Sequence, residues 1–139
     1  MISMSNNSFE IRLKNAEGVP ILQLGGNVTK TALTAVKSTM DRLASAGHYN
    51  IVLNLERADV TSWDFLSELT ESIQRIKDHY GAVDLVATQD RIQQILRIEQ
   101  VADLFRFCRS ESQAIAHIKK LYRQPDSIRD TNARLLESS

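Results

Sequence analysis

Residues 51–69 read IVLNLERADVTSWDFLSEL and change from the pattern of a strand to the pattern of a helix. The first five, IVLNL, are apolar except for Asn54, as in a central strand that is covered on both faces. From Phe65 onward, apolar residues recur at helical spacing. The turn between them presents backbone N–H groups and hydroxyls at one edge of a sheet, where ligands and partners of open α/β sheets bind.

The rest of the chain alternates between these two patterns. The predicted strands cover residues 9–14, 19–24, 49–55, 82–87 and 104–108, and the predicted helices cover about 29–46, 62–79, a segment from 89 onward and 111–121. The first two strands are expected to pair as a hairpin, with Gly25 and Gly26 ending the second. The order β-β-α-β-α-β-α-β-α predicts an α/β fold with a mainly parallel sheet of about five strands, an N-terminal β-hairpin and about four helices.

Length and composition narrow the class of protein. A chain of 139 residues fits one domain, and we expect a flexible arm at 1–8, the domain at 9–122 and a tail or short helix at 123–139. Seventeen basic and seventeen acidic residues leave no basic excess for nucleic acid. The start lacks the features of a signal peptide, and no apolar run approaches the roughly 20 residues of a membrane span. A single cysteine excludes an intrachain disulfide and favours the cytoplasm.

Patterns that would indicate catalysis or metal binding are missing from the sequence. Gly25 and Gly26 lack the spacing of a phosphate-binding loop, and no serine lies in a nucleophile-elbow pattern. Cys108 is expected to pack in an edge strand. The three histidines stand near element ends without other ligands at suitable spacing: His48, His79 and His117. We therefore expect a protein that is not an enzyme and binds no metal or cofactor.

Thr61, Ser62, Trp63 and Asp64 form the most distinctive polar segment. Thr61 followed by Asp64 resembles a capping box, and a carboxylate at this point complements the helix dipole. Capping alone explains the polar residues but not Trp63. A tryptophan in a first helical turn is either half buried beneath a neighbouring loop or exposed as a contact residue for a partner.

Residues 54–69 resemble the STAS domain of anti-sigma factor antagonists, which has D-L-S-x-V-x-x-(hydrophobic)-D-S-[ST]-G-L-x-x-L at this place. A gapless alignment keeps Leu55, Leu66 and Leu69. Three more motifs follow the same order: residues 24–29 match L-x-G-x-L-[DT], 94–105 resemble L-x-x-x-G-L-x-x-L-F, and 112–115 resemble S-x-x-x-A-L. The resemblance extends from Phe9 to Leu121 and implies a STAS-like fold and a protein-interaction module of bacterial signalling.

The sequence differs from the family at the position of the serine that is phosphorylated in other members. The serine after the family's aspartate is phosphorylated by a kinase of the anti-sigma type, and phosphorylation releases that partner. The gapless alignment places Ser62 at the aspartate and Trp63 at the phosphorylated serine, while Asn54 replaces the strand aspartate. A one-residue slip would instead place Thr61 at the aspartate and Ser62 at the phosphorylated serine. We favour a module without this phosphoacceptor and keep a Ser62-switched antagonist as an alternative.

The resemblance also implies the contact surface and the kind of partner. The expected partner-binding residues lie at the start of the second helix and after the second strand: Thr61, Ser62, Trp63, Asp64, Gly26, Asn27 and Thr29. The expected partner is a kinase-type anti-sigma factor or another STAS protein, and a homodimer is compatible with the resemblance. A further alternative is a STAS subunit of a regulatory scaffold or of a lipid or transport complex. We expect neither nucleic-acid binding nor membrane insertion.

Overall fold

The computed structural model describes residues 9–60 and 63–120. Its five-stranded sheet has the order β1-β2-β3-β4-β5, in which β1 is antiparallel to β2 and every later pair is parallel. The strands are β1 (Phe9–Ala16), β2 (Val19–Asn27), β3 (Asn50–Asp59), β4 (Ala82–Val86) and β5 (Arg106–Cys108). The helices are α1 (Lys30–Ser45), a 3₁₀ helix (Trp63–Leu69), α2 (Thr70–Asp78), α3 (Gln89–Leu96), α4 (Glu99–Ala102) and α5, which covers 111–120 of the described chain.

Alternate residues of β3 point into two cores on opposite faces of the sheet. Ile51, Leu53 and Leu55 enter a large core that also receives the apolar faces of α1, the 3₁₀ helix and α2 to α4. Val52 enters a smaller core, where α5 contributes Ala114, Ile115 and Ile118. Because both faces of β3 are covered, its apolar sequence is continuous rather than alternating.

The structure confirms the predicted α/β fold, including the N-terminal hairpin and the order of strands and helices along the chain. Thr29 caps α1, since its Oγ1 accepts a hydrogen bond from the Ala32 N–H at 3.2 Å. Ser110 caps α5 in the same way, accepting from the Gln113 N–H at 3.0 Å. Both helix starts were therefore predictable from local sequence.

The central strands are longer than predicted. β2 does not end at Gly25 and Gly26 but continues to Asn27, and β3 continues to Asp59 instead of ending at Leu55. The two extensions pair with each other after a register shift between Gln23 and Gly25. The extra residue lies in β3, where Leu55 and Glu56 stand opposite Leu24 alone, and the ladder resumes at Gly25 and Gly26, so the glycines do not end the strand.

The predicted second helix starts with a different geometry. Its first half is a 3₁₀ helix, and regular α-helix begins only at Thr70. The Oγ of Ser67 donates to the Asp64 carbonyl, and the hydroxyl of Thr70 donates to the Ser67 carbonyl, each three residues back. These hydroxyls compete for carbonyls that an α-helix would use, which favours the tighter turn.

The third predicted helix is divided, and the last strand is shorter than predicted. Ile98 is extended, so α3 ends before it and α4 begins after it. The Leu104 N–H bonds to the Val101 carbonyl and prolongs the turn after α4, so β5 begins at Arg106 rather than Leu104. The predicted arm at 1–8 and the tail at 123–139 lie outside the described residues. No helix in the described part of the chain is long and apolar enough to cross a membrane.

Candidate functional site

The carboxyl ends of β2 and β3 lie side by side at one edge of the sheet. Asn27 is opposite Asp59, and the Val28 N–H donates to the Asp59 carbonyl at 3.1 Å. The 3₁₀ helix starts shortly after β3 and α3 starts after β4, so both begin at this edge. Parallel strands bring their following loops together in this way, which makes the edge the natural place for a binding site.

Trp63, at the start of the 3₁₀ helix, is buried with 6% of its surface exposed. Its Nε1–H donates to the Oε1 of Gln94 on α3 at 3.0 Å, and its ring lies 6.1 Å from that of Phe65. The hydrogen bond satisfies the one polar atom of the indole while the ring packs in the large core. Trp63 is therefore neither half buried beneath a loop nor exposed but buried against α3, and contact with a partner remains a prediction.

Arg91 fixes the other side of the tryptophan. Its guanidinium carbon is 5.6 Å from the Trp63 ring centroid, and its Nη1 donates to the Leu55 carbonyl at 2.6 Å and approaches the Glu56 carbonyl at 3.3 Å. The pairing of β3 with β4 ends at Asn54, so the β4 side of these next residues has no strand partner. The arginine therefore satisfies carbonyls that the end of β4 leaves without a ladder.

A cleft of about 260 Å³ opens between these groups. Its walls combine one carboxylate, one guanidinium, two amides and two apolar side chains: Asp59, Arg91, Asn27, Gln94, Val60 and Trp63. Four of these residues stand on β2, β3 or α3, so the cleft is held mainly by regular elements. Such an arrangement can bind a small polar group.

The structure brings together only part of the predicted site. Asn27 and Trp63 line the cleft, and Gly26 pairs with Ala58 beside it. Asp64 is exposed at the start of the 3₁₀ helix, whereas Thr29 serves as the cap of α1. Thr61 and Ser62 lie outside the described residues. Partner binding by this set remains a prediction.

Four residues of the cleft were missed by sequence reasoning: Asp59, Val60, Arg91 and Gln94. Asp59 was missed because β3 was predicted to end too early. Arg91 and Gln94 reach the cleft from an element that follows another strand, and their spacing shows no motif. The one available signal was the general rule that helix starts after parallel strands share an edge.

A second polar cluster lies on the opposite face of the sheet, around Glu111 at the start of α5. Its carboxylate accepts from Gln23 at 2.5 Å and Asn54 at 2.6 Å, and Lys14 lies 2.9 Å from its other oxygen. Burial raises the pKa of Glu111, but the hydrogen bonds from Gln23, Lys14 and Asn54 and the charge of Lys14 outweigh it and lower the pKa. This cluster explains the polar Asn54 inside an apolar strand.

A third cluster surrounds Asp84, which is fully buried on β4. Its Oδ1 accepts from the Arg106 Nε at 2.8 Å, while the Cys108 Sγ and the His117 Nδ1 each lie 3.8 Å from its Oδ2. Burial raises the pKa of Cys108 to about 11, so this thiol is protonated at neutral pH and is a poor nucleophile. The described residues contain no group of three or more His, Cys, Asp or Glu that could hold a metal ion.

Fold and site together define an α/β domain that presents strand ends and helix starts at one edge of a mainly parallel sheet. A family model described as the STAS domain matches residues 10–114, most of the chain. The chain belongs to the STAS domain family. No curated protein sequence matches the chain closely enough to count as a relative.

Solved structures show the same fold at low sequence identity. An anti-sigma factor antagonist from Mycobacterium paratuberculosis is similar with a TM-score of 0.63 and 10% identity, over 83% of this chain and 97% of that one. The Bacillus cell fate determinant SpoIIAA in its phosphorylated form has a TM-score of 0.61 and 12% identity, over 78% and 99%. The anti-sigma factor antagonist SpoIIAA in its unphosphorylated form has a TM-score of 0.63 and 12% identity, over 79% and 98%. The chain thus has the STAS fold of anti-sigma factor antagonists.

Proposed function

We propose that this protein is a non-enzymatic interaction module of bacterial signalling, acting in the cytoplasm as an anti-sigma factor antagonist or a close functional relative. Membership of the STAS family and the fold shared with anti-sigma factor antagonists support this proposal. The partner would be a kinase-type anti-sigma factor or another STAS protein. The binding surface would be the edge formed by Asn27, Asp59, Asp64 and the cleft beside Trp63.

One observation supports a module that is not switched by phosphate at the usual position. Trp63 stands where the resemblance places the family's phosphorylated serine, and it has no hydroxyl. Its indole is 6% exposed, bonded to Gln94 and covered by Arg91. A phosphate adds a charge of about −1.5 to −2, and a site that cannot receive it stays competent for its partner.

The alternative remains a switched antagonist that uses Ser62. SpoIIAA itself has been solved in phosphorylated and unphosphorylated forms. Ser62 is adjacent to Trp63 in the sequence and carries the hydroxyl that phosphorylation needs. Asp64, two positions further, would oppose the added charge.

The two alternatives are separated by recovering the protein from its native cell. Wild type, Ser62→Ala and Ser62→Asp are purified with their partners, and the intact mass of the wild type is measured. We expect all three to retain the same kinase-type or STAS partner, with no phosphate-sized increase in mass. A phosphate on the wild type, together with loss of the partner from Ser62→Asp alone, would establish the switched alternative.

The position of the surface is tested by charge reversal at an exposed residue. Asp64→Lys should weaken the complex, because Asp64 stands at the proposed edge. Asp78→Lys is the matched control, since Asp78 is also exposed but ends α2, far along the chain from the strand ends. Equal binding by both variants would place the interface elsewhere.

A further inference from the structure

The cleft beside Trp63 has an anionic group at its mouth without a partner of its own. Asp59 is the last residue of β3, and its side chain is exposed. Its backbone carbonyl is used by Val28, but its carboxylate makes no hydrogen bond or ion pair within the described residues. Asn27 lies opposite Asp59 and adds an amide to the same opening.

Arg91, the basic residue that lines the cleft, contacts groups other than Asp59. Arg91 donates to the carbonyls of Leu55 and Glu56, and its guanidinium lies over the Trp63 ring. An arginine held by two carbonyls and an aromatic face serves to fix the wall of the cleft. It forms no ion pair with Asp59 in the structure.

Two further acidic residues stand at helix starts on the same edge of the sheet. Asp64 begins the 3₁₀ helix and Asp90 lies in the first turn of α3, and both are exposed. Lys30 at the start of α1 and Arg57 on β3 are exposed charges of the opposite sign. The exposed acidic residues at this edge, Asp59, Asp64 and Asp90, outnumber the exposed basic ones and complement a basic group of a partner.

The size of the cleft limits what can enter. A volume of about 260 Å³ lies below the range of about 300 to 1,000 Å³ typical of pockets for drug-sized ligands. It suits one long side chain better than a nucleotide or cofactor. Amide and carboxylate oxygens at the mouth can accept several hydrogen bonds from one donor-rich group, and a guanidinium has five N–H donors.

We infer that this cleft receives a cationic side chain, best an arginine, from the partner protein. The guanidinium would donate hydrogen bonds to the Asp59 carboxylate and lie beside Asn27 in the opening. The inference rests on the proposed function, because it names the chemistry with which a partner would meet the proposed edge. It predicts a partner whose contact surface is basic at its centre.

A titration with N-acetyl-arginine amide tests the inference without the partner. Trp63 is the only tryptophan of the chain, so its indole N–H is a single resonance that reports on the cleft wall. At constant ionic strength, we expect saturable NMR shifts of this resonance and of the Asn27 side-chain amide. Asp59→Asn should weaken binding by about tenfold, since a charge-assisted hydrogen bond contributes roughly 1.5 kcal/mol or more. Asp78→Asn, the matched control, should bind like the wild type.

Three results would overturn the inference: no saturable shift, equal binding by wild type and Asp59→Asn, or tighter binding of N-acetyl-glutamate amide. The last would show that the cleft prefers an acidic side chain. A result that refutes the basic side chain in the cleft would not by itself refute the proposed function. A cellular partner that binds wild type and Asp59→Asn equally but is lost from Asp64→Lys would retain the proposed interface and refute the basic side chain in the cleft.

Discussion

Trp63 connects the 3₁₀ helix with α3 through a core contact and one hydrogen bond. The indole N–H bonds to Gln94, and Arg91 covers the ring from the same helix. Both contacts join elements that are separated by a strand and a helix in the sequence. Trp63 therefore stabilises the shape of the cleft by holding the 3₁₀ helix and α3 together.

Substitution of Trp63 should lower the free energy of unfolding. We expect Trp63→Ala to lose about 3 to 5 kcal/mol, because a buried aromatic ring leaves a cavity. Trp63→Phe should lose less, since it keeps an apolar ring but removes the donor to Gln94. Gln94→Ala is the matched control for the hydrogen bond alone, with a loss of about 0.5 to 1.5 kcal/mol. Urea unfolding followed by circular dichroism measures all three, and unchanged stability of Trp63→Ala would contradict the burial.

Helix α2 is followed by a tyrosine, Tyr80, in the left-handed backbone conformation that glycine usually occupies. Tyr80 has a φ of 63° and is 98% exposed, and its N–H bonds to the Lys77 carbonyl. The following Gly81 donates to Ile76, and a Cβ at Gly81 would collide with the carbonyl oxygen of Tyr49. The glycine is therefore required for close backbone approach, one position after the residue with left-handed geometry.

This geometry predicts opposite effects at neighbouring positions. Tyr80→Gly should raise the free energy of unfolding by about 0.5 to 1 kcal/mol, because the left-handed conformation is unfavourable for tyrosine. Gly81→Ala should lower it by about 2 kcal/mol or more, because the added methyl meets backbone. Gly47→Ala is the control, since Gly47 has a φ of 92° with open space around it and should lose only about 1 kcal/mol. Thermal unfolding of the three variants checks the order, and a Gly81→Ala variant as stable as wild type would refute the close approach.

Two polar clusters, one around the half-buried Glu111 and one around the buried Asp84, connect α5 with the sheet. Glu111 on α5 joins Lys14, Gln23 and Asn54 on the first three strands. Asp84 on β4 joins β5 through Arg106 and lies near His117 of α5. The pKa of Glu111 is lowered, whereas burial raises the pKa of Asp84 against the opposing effects of Arg106, His117 and Cys108. The two clusters therefore act on stability with opposite pH dependence.

Glu111→Gln should remove stability at neutral pH but not in acid. The folded pKa of Glu111 lies below the unfolded value of 4.5, so its contribution is present above pH 4.5 and is lost as pH falls through the folded pKa. The difference in free energy of unfolding between wild type and Glu111→Gln should shrink below pH 4.5. Urea unfolding across this range measures it.

Asp84→Asn should show the opposite pH dependence of the free energy of unfolding relative to wild type. Because the folded pKa of Asp84 is raised above 3.8, wild type should lose stability relative to Asp84→Asn as pH rises through that pKa. If wild type did not lose stability relative to Asp84→Asn as pH rises, the effect assigned to the burial of Asp84 would be wrong.

The order of strands and helices was determined by the sequence alone, because hydrophobic periodicity depends only on neighbouring residues. IVLNL predicts a buried central strand, and the caps at Thr29 and Ser110 confirm two helix starts. These features need no distant partner. The resemblance to the STAS domain rested on the same local patterns, and the family match confirms it.

The tertiary structure alone decided what these residues contact. Trp63 bonds to Gln94, 31 residues further along the chain, and Asn54 bonds to Glu111, 57 residues further. Arg91 reaches back 36 residues to the Leu55 carbonyl because β4 ends too early to pair there. Contacts between residues so far apart in the sequence cannot be predicted from local patterns, because they depend on how the strands align in the sheet. The sequence therefore determined the elements, and packing of the sheet determined the cleft.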